Sequence, residues 1–573
     1  MDGGCAPLTL PARPDTLRSS AALLRRLTLW LLPLSFLSIF FFWPLARILI
    51  LALDVDAFST VNLGLATHVL LFTTYQALLS TLLTLLLGLP AAYLFARYEF
   101  RGKSLLRALT AVPFLLPTVV VAAGFNALLG PSGWLNIGLM QALGLEAPPI
   151  RLIGGLGAIL LAHVFYNTTI VIRVVGSALA RLDPRLEEAA RTLGADGPRL
   201  WGSLTLPLLR PSLLAAALLV FLFDFTSFGV VLLLGGPAFA TLEVEIYIQA
   251  LQMLNLPLSA LLALIQLICT LVFSGLYARL AAGASVRSNP RSARSNLRRP
   301  KSPWERTFVA VMMSLLFAIC IAPMLSLPLR SVARLEAARG ERTEVRAGLT
   351  LDYYSEIFVN RRGSIFYVPP IRAAVNSLGY GAMTVGLSLL LGLPAASALA
   401  RPGRLERLLD PLILLPLGAS AVMLGLGFIL AFGRLLASPW LVPIAHTLVA
   451  LPFVIRTLQP AMASIPTGLR QAAASLGASP WRTWQAVDWP ILSRATLAAA
   501  TFAFTISLGE FGATSLLARP EYPTIPVAIF RFLSQPGGLN YGQAMAMATV
   551  LMALAGLGIL VIERLRLPGA GEF

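Results

Sequence analysis

Asp183-Pro-Arg-Leu-Glu-Glu-Ala-Ala-Arg-Thr-Leu-Gly194 is a polar island in an apolar chain, and it occurs twice. The second copy is Pro466-Thr-Gly-Leu-Arg-Gln-Ala-Ala-Ala-Ser-Leu-Gly477. Leu204-Thr-Leu-Pro207 follows the first and Val487-Asp-Trp-Pro490 the second, and every matched position is displaced by 283 residues. A constant displacement marks a repeated unit. Asp183 reads as an N-cap, Pro184 as the first helical residue, Glu187 and Glu188 as early-turn acids, and Gly194 as the C-terminal stop. The stretch is therefore a short helix with its own ends. Leu182, Leu186, Ala190 and Leu193, and again Ile465, Leu469, Ala473 and Leu476, recur at helical spacing. Each copy thus has one apolar and one polar face, with small alanines that permit close approach by another protein.

Composition bounds what surrounds these loops. Of 573 residues 57% are hydrophobic and 12% charged, with mean hydropathy +0.79, against globular averages of about 45–50% and about 25%. This is a polytopic membrane protein. The net charge of +18 lies mostly between apolar runs, where the positive-inside rule places it, and does not call for nucleic acid. The three cysteines, Cys5, Cys269 and Cys320, have no spacing of a disulfide framework or thiolate metal site. Gly102-Lys103-Ser104 resembles the end of a phosphate-binding loop, but Arg97 stands where the first glycine must be. The chain is not expected to hydrolyse ATP.

In chain order, residues 1–26 form a polar N-terminal tail, and an uncleaved span runs from Leu27 to about Leu51. Further spans fall near Leu70–Phe95, Leu105–Leu129, Gly155–Val175, Pro211–Leu234 and Ser259–Leu280, each close to the roughly 20 residues that cross a bilayer. Residues 282–306 carry Arg287, Arg291, Arg294, Arg298, Arg299, Lys301 and Arg306 among Ser, Asn and Pro, a composition that reads as a solvated linker. Six more spans follow near Phe308–Leu329, Val375–Leu399, Leu409–Phe432, Leu441–Leu458, Ala495–Leu517 and Gln543–Ile562. The octapeptide Leu85-Leu-Leu-Gly-Leu-Pro-Ala-Ala92 recurs at Leu389–Ala396, His163 and Arg173 match His446 and Arg456, and Phe228-Gly229 matches Phe511-Gly512. Six spans per half give both halves the same orientation, a parallel repeat with a path between them.

The octapeptides are displaced by 304 residues, 21 more than the loops. That excess is expected in Gly130–Ile153 as an outer loop with a short helix, and Arg330–Arg372 as a long outer segment of the second half. Both are candidates for contact with a soluble outer partner. Within the spans, Asp224 and Glu510 are functional candidates because burying charge is costly. Facing the seam, they would meet a cation; satisfied by neighbouring polar groups, they would be structural. Ser227, Phe228 and Phe511 adjoin them. The paired histidines argue for a shared hydrogen bond more than for a metal.

Glu188-Ala189-Ala190, then Gly194, then Leu206-Pro207 resembles the signature loop of permease subunits of binding-protein-dependent ABC importers. The second copy keeps Ala472, Ala473, Gly477 and Pro490, with Gln471 for the glutamate and Trp489 for the penultimate leucine. The resemblance covers nearly the whole chain. It implies an all-α fold of about twelve transmembrane helices in two parallel six-helix repeats, residues 27–281 and 307–567, with coupling loops at about 182–210 and 465–493 and a tail at 568–573. It implies that these loops dock on two cytoplasmic ABC ATPase subunits, which bind the ATP and Mg that this chain does not. It also implies a soluble or lipid-anchored extracytoplasmic binding protein, a bacterial inner-membrane location, and cytoplasmic termini. The fused arrangement is similar to importers for thiamine and ferric iron; Phe225–Gly236 and Ser507–Gly512 look closest to the thiamine permeases. Phosphonate and polyamine importers are relatives of the same kind. An ion-coupled secondary transporter and a membrane scaffold are the readings from other classes.

Overall fold

The computed structural model describes residues 28–54, 63–283, 297–334, 348–359, 368–400 and 402–565. The N-terminal tail, Cys5, the linker arginines Arg287, Arg291 and Arg294, and the C-terminal tail lie outside the described residues.

Lipid offers the backbone no hydrogen bonds, so the apolar runs satisfy themselves as helices. Eleven helices among the described residues are long and apolar enough to cross a membrane, and one bent pair adds a twelfth. Each span read from the sequence overlaps one of these. In the first half, α1 is Thr28–Ala52, and α2 (Leu63–Arg97), α3 (Lys103–Ala111), α4 (Thr118–Leu129), α5 (Trp134–Leu143) and α6 (Leu156–Ala180) lead to the loop helix α7 (Pro184–Thr192). Then come α8 (Leu206–Phe225), α9 (Gly229–Leu234), α10 (Leu242–Tyr247) and α11 (Leu256–Gly283). The second half opens with α12 (Pro303–Cys320) and α13 (Ala322–Ser331), continues through α14 (Pro370–Leu399), α15 (Arg404–Gly418), α16 (Ala421–Phe432) and α17 (Leu441–Ala463), and reaches its loop helix α18 (Thr467–Ser475). It closes with α19 (Trp489–Gly509), α20 (Gly512–Leu517), α21 (Ile525–Leu533) and α22 (Gly538–Leu565).

The octapeptide explains itself at the contact of α2 with α6. A Cβ on Gly88 would lie 2.7 Å from the Val171 Cβ, and one on Gly392 would lie 2.7 Å from Val454 Cγ1. Glycine lets the two backbones approach in both halves, the close packing that stabilises helices where lipid is as apolar as their side chains. A second pair of matched contacts fixes the short helices. Thr73 Oγ1 accepts from Leu242 N at 2.9 Å, and Ser377 Oγ accepts from Ile525 N at 2.9 Å, capping α10 and α21 from α2 and α14.

Two pairs of expected spans are broken. The third span of each half is a helix, a turn and a second helix: α3 stops before Pro113 and α4 starts after Pro117, while α15 and the helix that follows it are bent by 96°. In the first half the turn opens at Leu116, extended before Pro117, and in the second at Ala419 and Ser420, both extended with no proline between the two helices. The fifth span breaks at Thr226–Phe228 in one half and at Glu510–Phe511 in the other.

The halves are interlocked by their first helices. α1 packs on α11 of its own half and on α16 of the other, and α13 packs on α22 of its own half and on α4 of the other. At the end of α13, Arg330 is fully buried; it lies 4.9 Å from the Tyr541 ring and donates to Ser132 O at 3.2 Å and Ala333 O at 2.8 Å. At the start of the long segment read from the sequence as outer, Arg330 is packing between the halves. The expected short helix is α5. Asn136, fully buried, closes its loop by donating to Gly130 O and Ile150 O, both at 2.9 Å, and by accepting from Ile150 N at 2.8 Å.

The described end of the linker is docked, not free. Arg298 N donates to Arg97 O at 2.9 Å, Glu99 N donates to Arg298 O at 2.9 Å, and the Arg298 guanidinium meets Glu305 at 2.9 Å and the Tyr98 hydroxyl at 3.1 Å. Burial, with Tyr93 beside it, raises the Tyr98 hydroxyl above its ordinary 10.0.

Candidate functional site: two outward loop helices and a polar seam

By the alternation of the spans, α7 and α18 fall at the same end of the bundle. Asp183 caps α7 by accepting from Arg185 N at 3.0 Å, and each helix is closed by a glycine in the left-handed region, Gly194 at φ +86° and Gly477 at φ +78°. Gly194 N returns to Arg191 O and Ala195 N to Ala190 O, both at 3.0 Å, with the same pair of bonds at Gly477 and Ala478. A π-turn follows in each copy, Trp201–Thr205 and Trp484–Asp488.

Neither helix has a buried residue. Leu186 is 48% exposed and Leu193 88%; Leu469 is 47% exposed and Leu476 88%. These four leucines are thus presented outward to the same degree in both halves, although burying them would be favourable, while Ile465 at the start of the second stripe is buried and Leu182 half-buried. Glu188, Ala189, Gly194, Leu206 and Pro207 are exposed beside these leucines, as are Gln471, Ala472, Gly477 and Pro490, while Ala190 and Ala473 are half-buried. The departure at Trp489 has a local reason. It packs on Trp484 with ring centroids 5.3 Å apart, and Trp484 stacks on Trp481 at 5.0 Å.

One ion pair ties each loop helix to the spans, and sequence reasoning missed both. Glu187 bonds Arg97 at the end of α2, and Arg470, at the matched position with opposite charge, bonds Asp488 at 2.7 Å. The signal was the sign reversal at one repeat position. Gly194→Ala tests the closure: the Cβ would meet nothing within 4 Å, so its cost is the left-handed backbone alone, about 1–2 kcal/mol. Amide exchange over 189–197 is expected to quicken roughly tenfold with the spans' exchange unchanged; an unaltered loop would refute the strain argument.

The histidines pin the broken fifth spans. In the first half His163 Nδ1 meets Ser80 Oγ at 2.9 Å and lies 3.4 Å from Asp224 Oδ1, while Nε2 meets Ser227 Oγ at 2.9 Å. In the second half His446 Nδ1 meets Ser507 Oγ at 2.7 Å, and Nε2 meets Thr514 Oγ1 at 2.7 Å and Glu510 Oε2 at 3.2 Å. Asp224 aligns with Ser507 and Ser227 with Glu510. Acid and hydroxyl have exchanged places about a fixed ring, and this accounts for the three-residue offset of the carboxylates.

Each carboxylate is held within its own half. Asp224, 1% exposed, accepts from Asn167 Nδ2 at 2.6 Å, and its Oδ2 has no hydrogen-bond partner. Glu510 caps α20, accepting from Ala513 N at 2.8 Å, Thr514 N at 3.0 Å and Thr514 Oγ1 at 2.6 Å. What meets across the seam is aromatic: Phe228 and Phe511, matched in the repeat, stack with centroids 5.4 Å apart and rings 29° from parallel. A Cβ on Gly229 would reach Phe511 at 3.3 Å and Thr118 Oγ1 at 2.4 Å, so glycine is needed for this closure. The sequence missed Glu243 and Glu245 on α10, both buried.

Relatives share this organisation end to end. The thiamine transport system permease protein ThiP of Escherichia coli is 29% identical over 515 residues, covering 88% of this chain and 89% of that protein. The protein of the same name from Brucella abortus is 29% identical over 502 residues, 86% of each chain, and a probable ABC transporter permease of Sinorhizobium fredii is 28% identical over 514 residues, 87% of this chain and 88% of that one. The family described as binding-protein-dependent transport system inner membrane component matches twice, at residues 84–286 and 388–566. Two repeats of one helical plan, each carrying its own outward loop helix, therefore place the chain in that family, as a fused two-domain permease of an ABC importer.

Proposed function

We propose that the chain is the membrane subunit of an ATP-driven thiamine importer, forming the path between its halves. The observation that carries this reading is the pair of outward loop helices at one end of the bundle, with Leu193 and Leu476 equally exposed. Two ATPase subunits would each seat one helix. ATP and Mg belong to those partners, and the solute arrives from a soluble or lipid-anchored extracytoplasmic binding protein. The loop end faces the cytoplasm of a bacterial inner membrane, where both termini also lie. Arg97–Glu187 and Arg470–Asp488 would carry ATPase closure from the loop helices into α2 and α19. The seam at Phe228 and Phe511, flanked by Ser227, Asp224 and Glu510, is the barrier that movement opens. The energetic requirement is that ATP and loaded binding protein favour a different facing state from the nucleotide-free complex.

Thiamine is taken from the named relatives, which places it ahead of ferric iron. The test is uptake into proteoliposomes. With chain, ATPase and binding protein together, thiamine should enter only on ATP addition, and omission of any one component should remove at least 90% of the flux, a tenfold loss of about 1.4 kcal/mol. Gradient-driven uptake without ATPase would overturn the reading.

A further inference from the structure

Glu243 lies on α10, 2% exposed, where the second half has Pro526 at the matched position. Its Oε1 accepts from Gln266 Nε2 at 2.6 Å, and its other neighbour is the Ser420 hydroxyl, which comes from the opposite half. Gln266 is 1% exposed and its Oε1 has no hydrogen-bond partner; the matched residue in the second half is Thr549. The glutamine spends its amide nitrogen on the carboxylate and keeps a buried oxygen without a hydrogen-bond partner.

No Lys or Arg among the described residues pairs with Glu243. The Glu510 carboxylate is near enough to repel it. Two carboxylates in one buried region favour taking up positive charge from outside. The remaining wall is mostly aromatic, with the Arg531 guanidinium on the Tyr247 side. Tyr247, one turn along from Glu243, meets Phe228 at 5.6 Å; Phe228 stacks on Phe511, and Phe511 meets Phe530 at 5.6 Å. A hard inorganic cation wants a full shell of oxygens, whereas an organic cation is served by one carboxylate and several ring faces.

We propose that Glu243, oriented by Gln266 and Ser420 beside the Phe228–Phe511 pair, is a binding station for an organic cation crossing the seam. It rests on the permease reading for its place on the path, and its Glu243–Gln266 pair has no counterpart in the second half, where Pro526 and Thr549 stand, so the path is asymmetric despite the repeat.

The test uses the full chain in nanodiscs, with benzyltrimethylammonium as probe and sodium chloride at matched ionic strength as control. Millimolar probe should raise the unfolding temperature of the wild type by roughly 2 °C. Glu243→Gln should lose that shift, and Glu243→Asp, which keeps the charge, should retain part of it. In the complete transport complex Glu243→Gln should lower thiamine uptake at least tenfold while loaded binding protein still stimulates ATP hydrolysis. No shift in the wild type, or an equal shift in wild type and Glu243→Gln, overturns the station, as does uptake by Glu243→Gln within twofold of wild type. A wild type that shows the shift but no ATP-driven thiamine uptake overturns the thiamine-importer reading instead. If Glu243→Gln does not fold, a weakened shift in Glu243→Asp supports the station and a full wild-type shift there sinks it.

Discussion

Leu193→Asp combined with Leu476→Asp is expected to abolish ATP-driven thiamine uptake and to weaken ATPase association by about three orders of magnitude, with thermal unfolding of the chain in detergent unchanged. Both side chains are 88% exposed, so the fold gains nothing from them and loses nothing when they are replaced. A leucine that becomes buried in a partner's groove contributes about 2 kcal/mol, and a carboxylate forced into the same groove adds a desolvation cost. Two sites at about 2 kcal/mol each give roughly a thousandfold, since each 1.4 kcal/mol is tenfold. Either single substitution should cost about thirtyfold if the two helices are equivalent. Unequal single effects would show that Gln471 and the tryptophan stack at Trp481, Trp484 and Trp489 have made the second contact a different one. Unchanged association in the double variant would sink the docking assignment, and co-purification with the ATPase is enough to read it.

The sequence made the repeat legible because the features that define it are local and polar. Asp183, Pro184, Gly194 and Gly477 specify a helix with two ends wherever they stand, and the structure gives those ends. The octapeptide was visible as a string, while its purpose, Gly88 against Val171 and Gly392 against Val454, required the partner helix. The breaks in the third and fifth spans were illegible for a different reason. An apolar run of spanning length reads the same whether it is straight or bent, and the residues that satisfy the opened backbone, Glu510 with Ala513 and Thr514, are ordinary in composition. The exchange of α1 and α13 between halves leaves no periodic mark, because a face toward lipid and a face toward another helix are equally apolar. Glu243 and Glu245 sit between two long apolar runs, on a helix of six residues too short to show a periodic face. Their burial is what makes them informative.

Phe228→Ala with Phe511→Ala should turn the transporter into a leak: passive thiamine entry into proteoliposomes rising at least tenfold without ATP, and ATP hydrolysis no longer tied to uptake. The two rings are 6% and 3% exposed and stack on each other at the seam. Truncating a packed phenylalanine costs about 3–5 kcal/mol through lost contacts and the void that remains, and the pair itself adds about 0.5–1.5 kcal/mol. The helices on either side cannot refill that void cheaply. Glu510 and Thr514 hold α20 in place by hydrogen bonds that do not involve Phe511, and Thr118 fills the space against Gly229. The loss therefore falls on the closed state, in which the rings meet, and not on a state in which the halves have parted. Removing contacts made only by the closed state shifts the population toward the open one by that difference. Phe228→Leu is the control, since it keeps apolar volume without the stack; it should fold, stay sealed to within a few-fold, and transport. Tight vesicles with full ATP coupling in the double alanine variant would place the barrier elsewhere along the seam.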